Sequence, residues 1–287
     1  MQKMLPTKPL VKLSYLYLKP SIPSSTNHII LNLHGFLGSK SNFHSINRRL
    51  SKAINAHIFT FDLRNHGESE LAHPLDYETL ANDFIHFLGS NEKQFKNKSI
   101  DIIGYSMGGK VALLSSLKLN KSKNFQIRKI ISVDMPPYEV AALPAEIYKK
   151  VDAIKYINLG AIKIKSNKDG SWKVKLLEML GPYFTAGFMK VRANYKGGGL
   201  VKYYLPLEEF PSLFDDLKDW PVTEEKSNAD VLFIRALKSN LIKDDYSLLE
   251  RNFKRVKVKE FDSDHNILFN NFENSITCII DFLQDKF

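Results

Sequence analysis

The chain contains one cysteine, Cys278, so no internal disulfide can form and a thiolate-built structural zinc site is excluded. That cysteine stands in the apolar stretch Ser275-Ile276-Thr277-Cys278-Ile279-Ile280. No local cation or helix start favours its thiolate, so it reads as a packed core thiol in a reducing compartment. No run approaches the roughly 18 uninterrupted apolar residues of a membrane-spanning helix. The opening residues, Met1-Gln2-Lys3-Met4-Leu5-Pro6, carry neither a signal-peptide core nor an Arg/Ser-rich amphipathic leader. Repeats and low-complexity tracts are lacking. No zinc-finger or RNP-type module is present, so a nucleic-acid partner is not expected.

What the chain does have is length, at 287 residues, and basic charge, at +10. The charge is uneven: from Lys149 to Lys202 there are 12 Lys or Arg against 3 Asp or Glu. The plain expectation is a solvated basic face on a lid. Contact with anionic lipid headgroups, or with the phosphates of a coenzyme A ester, is the sharper one.

Apolar runs of strand length recur at Leu10–Leu18, Ile29–His34, His57–Asp62, Ile100–Tyr105, Lys129–Met135, Val231–Ala236 and Val256–Phe261. Several are near-continuous in Ile, Leu, Val and Phe, as in strands covered on both faces. Between them, Ser41–Ile54, Asp76–Gly89 and Met107–Asn120 carry helical spacing, and a last helix is expected over Asn271–Phe287. The alternation predicts an α/β fold: a mostly parallel central sheet flanked by helices. It stops after Asp134 and resumes near residue 228. We therefore expect a core of residues 1–137 and 228–287, with a mainly helical cap over 138–227 above the carboxyl ends of the strands. Within the cap, Gly197-Gly198-Gly199, Pro206, Pro211 and the acidic run from Asp215-Asp216 to Asp219 break the rhythm.

Gly104-Tyr105-Ser106-Met107-Gly108-Gly109 matches G-x-S-x-G between a buried strand and a helix. A serine there sits on a tight turn that needs small neighbours and lifts its hydroxyl above the sheet, at a helix start that favours negative charge. Ser106 is thus the candidate nucleophile. It needs a base, and His265, after the last strand and before the terminal helix, has the required place in the chain order. The acid that orients the imidazole is expected to be Asp134, with Asp244 or Asp245 as the alternative. Asp134 ends the strand after the nucleophile's, before Pro136-Pro137; Asp244 or Asp245 follow the next strand, where Ser239 occupies the more usual acidic position. Asp264 adjoins His265, and its side chain is expected to point elsewhere.

The turn His34-Gly35-Phe36-Leu37-Gly38-Ser39 can aim a backbone amide into the pocket. The amides of Phe36 and Met107 are the expected oxyanion donors, with Leu37 as the fallback. The His34 ring reads as structural, as does the turn Asp62-Leu63-Arg64-Asn65-His66-Gly67-Glu68-Ser69.

These segments, with Val133-Asp134-Met135-Pro136-Pro137, resemble one branch of the α/β-hydrolases. That branch holds small bacterial esterases, mitochondrial abhydrolase-domain proteins and the mitochondrial ethanol acetyltransferases of yeasts. The resemblance runs from about Leu10 to the C-terminus and is weakest in the cap. It implies a triad of Ser106, Asp134 and His265, no metal and no bound cofactor. It also implies acetyl-CoA and ethanol as substrates of a mitochondrial enzyme, here without its leader; a monomer is expected. A carboxylesterase of short esters, or a catalytically silent protein that uses the pocket as a receptor, are the competing expectations.

Overall fold

The computed structural model describes residues 6–22, 26–140, 145–158, 163–164, 171–186, 188–192, 199–203, 217, 219–221, 223–239 and 241–287. Seven strands make the central sheet: β1 (Tyr15–Leu18), β2 (His28–Leu33), β3 (His57–Phe61), β4 (Ser99–Tyr105), β5 (Gln126–Val133), β9 (Ser227–Ala236) and β10 (Phe253–Phe261). Their order is β1-β3-β2-β4-β5-β9-β10, and only β1 runs antiparallel to its neighbour. The central strands are buried on both faces: Ile100 to Tyr105 of β4 are all inaccessible, as are Ile130 to Val133 of β5. This is why they read as unbroken apolar runs.

The chain leaves β2 toward one edge and returns at β4 toward the other. The crevice between the carboxyl ends of those two strands is a topological switch point, where open α/β sheets place ligands.

Helices α1 (His44–Ala53) and α10 (Phe272–Leu283) cover one face, where Ile46 and Leu50 join Ile276, Ile279 and Leu283 in one core cluster. On the other face α2 (Tyr77–Ser90), the short α3 (Glu92–Phe95) and α4 (Met107–Leu119) form a second cluster, including Leu80, Phe84, Val111 and Leu114. Helix α2 starts where the Asp76 carboxylate accepts from the Thr79 amide at 2.6 Å, an N-cap. Helix α4 is buried nearly all round, with only Lys118 exposed, so it lacks the amphipathic stripe of a surface helix. Cys278 lies on the inner face of α10; burial pushes its thiol up to about 11, which leaves it inert at neutral pH.

Three expected elements differ in extent. The run Leu10–Leu18 becomes a strand only at Tyr15–Leu18, although Val11 and Leu13 are buried; the Val11 amide is taken by the Asp83 carboxylate at 2.9 Å rather than by a ladder. The helix expected over Ser41–Ile54 opens as a 3₁₀ turn, Lys40–Phe43, capped by Ser39. Strand β10 begins at Phe253, because an edge strand alternates in burial and its exposed polar residues hide its start.

Residues 138–227 carry α5 (Ala145–Tyr156), α6 (Ser171–Leu180) and α7 (Pro182–Thr185). They also carry an antiparallel sheet of β6 (Lys163–Ile164), β7 (Phe188–Arg192) and β8 (Gly199–Tyr203), in the order β6-β8-β7. The expected breaks at Gly197, Gly198, Pro206, Pro211, Asp215 and Asp216 lie outside the described residues. Of the 12 basic residues counted above, Lys149, Lys150, Lys155, Lys173 and Lys175 lie on α5 and α6; the side chains of the others are outside the description. Two short helices, α8 (Ser247–Glu250) and α9 (Ile267–Asn270), flank β10. No helix among the described residues is long and apolar enough to cross a membrane.

Candidate active site

Ser106 sits between β4 and α4 with φ 52° and ψ −122°, a backbone geometry that costs a non-glycine residue energy. The turn is closed by Ser106 N–H donating to the Val133 carbonyl at 2.9 Å and Gly109 N–H donating to the Ser106 carbonyl at 2.7 Å. A side chain at Gly104 would meet the Gly108 carbonyl at 2.2 Å, and one at Gly108 would meet the Leu33 carbonyl at 2.2 Å. Both contacts are with backbone that cannot yield, so the two glycines are required by the close approach of β2, β4 and α4.

The imidazole of His265, on the loop between β10 and α9, lies beside this hydroxyl: Nε2 is 2.9 Å from Ser106 Oγ. Its Nδ1 is 2.8 Å from Asp134 Oδ2. Asp134 is fully buried at the end of β5, and its second oxygen accepts from the Ala236 amide at 2.9 Å. A carboxylate accepts only, so Nδ1 carries the proton and Nε2 is left to accept from the serine. The imidazole is further held by Tyr105, whose ring stacks on it with centroids 5.3 Å apart and whose hydroxyl donates to the His265 carbonyl at 3.0 Å.

The structure brings Asp134 to His265, and not Asp244 or Asp245. Asp244 accepts from Arg235 at 2.5 Å with its side chain 95% exposed, and Asp245 accepts from the Ser247 amide at 3.0 Å. Ser239 Oγ donates to the Ala236 carbonyl at 3.1 Å, and Asp264 accepts from the Asn266 amide and the Asn270 side chain, turned away from the imidazole.

The turn after β2 is bound to the turn after β3 by two histidines. Leu63 N–H donates to His34 Nε2 at 3.0 Å, and His34 Nδ1–H donates to the Gly35 carbonyl at 2.7 Å. Reciprocally, Leu37 N–H donates to His66 Nε2 at 3.2 Å, and His66 Nδ1–H donates to the Arg64 carbonyl at 2.7 Å. Both rings are buried and lie 4.9 Å apart. Desolvation lowers His34 to about 4 and His66 to about 3, so both are neutral near pH 7. Arg64, also buried, forks onto Asp83 of α2 at 2.8 and 2.9 Å and pins the second turn from below.

This pairing sets the direction of the Phe36 amide. The Gly35 carbonyl is held by His34 and by Gly38 N–H at 3.0 Å, and in a planar trans peptide the next N–H points the opposite way. The Leu37 amide is committed to His66, which leaves the fallback donor without a free hydrogen. Met107 opens α4, where the first amides have no partner within the helix. Sequence reasoning missed this reciprocal bonding; its only trace was the recurrence of His-Gly in both turns.

From above, cap helix α7 holds the same loop. Tyr183 Oη–H donates to the Phe36 carbonyl at 2.8 Å, and the Asn42 amide donates to the Tyr183 carbonyl at 2.8 Å. Ser106 and His265 open into a cavity of about 400 Å³ between the core and this cap.

Residues 28–147 match the family model of the alpha/beta hydrolase fold. A probable alcohol acetyltransferase of Cyberlindnera fabianii is 28% identical, across 98% of this chain and 80% of that protein. The ethanol acetyltransferase 1 of Kluyveromyces lactis is 29% identical, across 92% of this chain and 75% of its own. Among solved structures, a marine microorganism esterase superposes with a TM-score of 0.74 at 21% identity, covering 95% of this chain and 99% of that one. An E-2-(acetamidomethylene)succinate hydrolase gives 0.67 at 18% identity, covering 96% of each. The chain has the α/β-hydrolase fold, and yeast ethanol and alcohol acetyltransferases are among its relatives in sequence.

Proposed function

We propose that the chain is a serine acyltransferase that passes an acetyl group from acetyl-CoA to ethanol, with hydrolysis as its side reaction. The observation that carries this is the continuous bonding of Ser106 Oγ, His265 and the buried Asp134 carboxylate at the mouth of an apolar cavity. The names of the yeast relatives, an alcohol acetyltransferase and an ethanol acetyltransferase, support the choice of acetyl group and alcohol; acetyl-CoA as the donor is part of the proposal.

In this reading Ser106 attacks the thioester carbonyl as His265 Nε2 takes its proton. The oxyanion is met by the Phe36 and Met107 amides at the N-terminus of α4. Collapse breaks the carbon–sulfur bond, and His265 returns the proton to the departing thiolate. Ethanol then enters, gives its proton to His265 and attacks the acyl-serine. The second collapse releases ethyl acetate and reprotonates Ser106. Every proton has a carrier within the chain, so the cycle uses no metal and no bound organic cofactor. In this reading the partners are these small molecules alone, acting on a monomer in mitochondria. The basic cap remains our candidate for contact with an anionic membrane.

A carboxylesterase reading uses the same groups, with water as acceptor. It is favoured by the 19% exposure of the His265 side chain, which lets solvent reach the base. Purified protein given acetyl-CoA with and without ethanol separates the readings. Ethyl acetate formed in proportion to ethanol supports the transferase, acetate alone makes it a hydrolase, and no turnover with either leaves a binding protein.

A further inference from the structure

The cavity at Ser106 is larger than the acetyl and ethyl groups that would be joined in it. Its volume is about 400 Å³. Ethyl acetate has roughly six non-hydrogen atoms and, at ~30 Å³ for each water-sized group, fills roughly 180 Å³. More than half of the chamber is left for the rest of the acyl donor, on its thiol side or its acyl side.

The walls divide by polarity. Of the polar residues that line it, Lys238 and Ser239 come from the loop after β9 and Asp264 and Asn266 from the loop after β10, which carries His265; Tyr77 comes from α2. From the cap come Val140, Ile147, Phe184 and Leu217, together with Tyr183, whose hydroxyl is spent on the Phe36 carbonyl. Met107 and Met135 extend the apolar wall from the start of α4 and the end of β5.

Chemistry assigns the two sides. The leaving thiolate receives its proton from His265 Nε2 and the incoming alcohol gives its proton to the same atom, so both must approach on the imidazole's side. That side is the polar one. The group that stays on Ser106 through both steps is the acyl group, and it is left with the apolar side under the cap. The apolar wall formed by the cap residues favours methylenes over water.

We propose that this chamber accommodates an unbranched acyl chain of about six to eight carbons, its carbonyl at Ser106 and its tail among Val140, Ile147, Phe184 and Leu217, so that medium-chain acyl groups are preferred to acetyl. The proposal rests on the serine acyl-transfer reading and puts a longer acyl group in the place of acetyl as the preferred one.

The test is a series of p-nitrophenyl esters from acetate to dodecanoate, each below its micellar concentration, so that only the acyl chain varies. Each methylene that enters the chamber raises kcat/KM by about two- to fourfold. A rise of at least tenfold between acetate and hexanoate is expected, followed by a fall beyond octanoate. Ile147→Trp and Leu217→Trp, which fill the chamber, move the optimum back toward acetate. A maximum at acetate in the unmodified protein, or an unchanged profile in both variants, overturns the proposal. Labelling by a fluorophosphonate keeps the two readings apart. Ser106 labelled with a maximum at acetate refutes the chain-length inference alone, whereas an unlabelled Ser106 with no ester turned over refutes the serine enzyme itself.

Discussion

His34 makes two bonds with different consequences, and two substitutions separate them. Glutamine carries a carbonyl oxygen to about where Nε2 stands, so His34→Gln keeps an acceptor for the Leu63 amide and loses the donor to the Gly35 carbonyl. Asparagine places its amide near Nδ1, so His34→Asn keeps the Gly35 bond and strands the buried Leu63 N–H. Removing an oxyanion donor outright costs about 10²–10³ in kcat. Gly38 still holds the Gly35 carbonyl at 3.0 Å, so the glutamine variant retains part of the orientation. We expect kcat to fall about 10- to 100-fold with KM little changed, because the donor matters only once the oxyanion forms. The asparagine variant instead loses about 1–3 kcal/mol of stability, the cost of a buried unpaired amide, and stays within about fivefold of the parent in kcat. Steady-state kinetics on one activated ester and thermal melts of both proteins make the comparison. Equal kinetic losses in the two variants, or a larger one in asparagine, would refute the claim that the Gly35 peptide is what His34 orients.

Asp134→Asn places an amide against His265 Nδ1, which favours the tautomer with its proton on Nε2; kcat should drop by about 10³–10⁴, while Asp244→Asn, changed on an exposed carboxylate, should leave kcat within about twofold. Comparable losses in both would return the acid to the loop after β9. Burial holds His34 near 4 and His66 near 3, so between pH 6.5 and about 4 the unfolded chain takes up protons that the folded chain refuses. Stability is full above 6.5 and declines as the pH falls through that window, by about 3 kcal/mol for His34 alone. A melting temperature that stays level from pH 7 to 4.5, or falls equally in His66→Asn, would contradict this.

Much of this was legible in the sequence, for identifiable reasons. The inner strands announce themselves because β2, β4 and β5 are covered on both faces, whereas β10 sits at a sheet edge where propensity is diluted by exposed polar residues. The cap strands escaped notice because β6 is two residues long and β7 and β8 are five each, too short to show a period. Ser106 and His265 were readable from motif and chain order. Asp134 was readable too, from its place just past the strand after the nucleophile's and from Ser239 at the more usual acidic position; β5 lies between β4 and β9, so its end can serve the place usually filled from β9. The pairing of His34 with Leu63 and His66 with Leu37 spans 29 residues in each case and follows only from β2 and β3 lying side by side.

Backbone strain gathers at the same edge. Six non-glycine residues among those described have positive φ, and four of them (Leu37, Asn65, Ser106 and Asp134) follow the carboxyl ends of the adjacent strands β2, β3, β4 and β5. Asn and Asp tolerate this conformation; Leu and Ser do so at a cost of about 1–3 kcal/mol each. Such strain persists only where neighbours over-determine it, as the Val133 carbonyl and Gly109 amide do for Ser106. If Ser106 is held there for its hydroxyl and not for folding, relieving the strain should separate the two. Ser106→Gly should then melt higher than the parent, by about 1 kcal/mol after the entropy glycine loses on folding, and show no turnover. Ser106→Ala, which keeps a Cβ and so keeps the strain, should melt with the parent and be equally inactive. A glycine variant less stable than the alanine one would mean that the turn is at rest at φ 52°, and that the serine stands there without conformational cost.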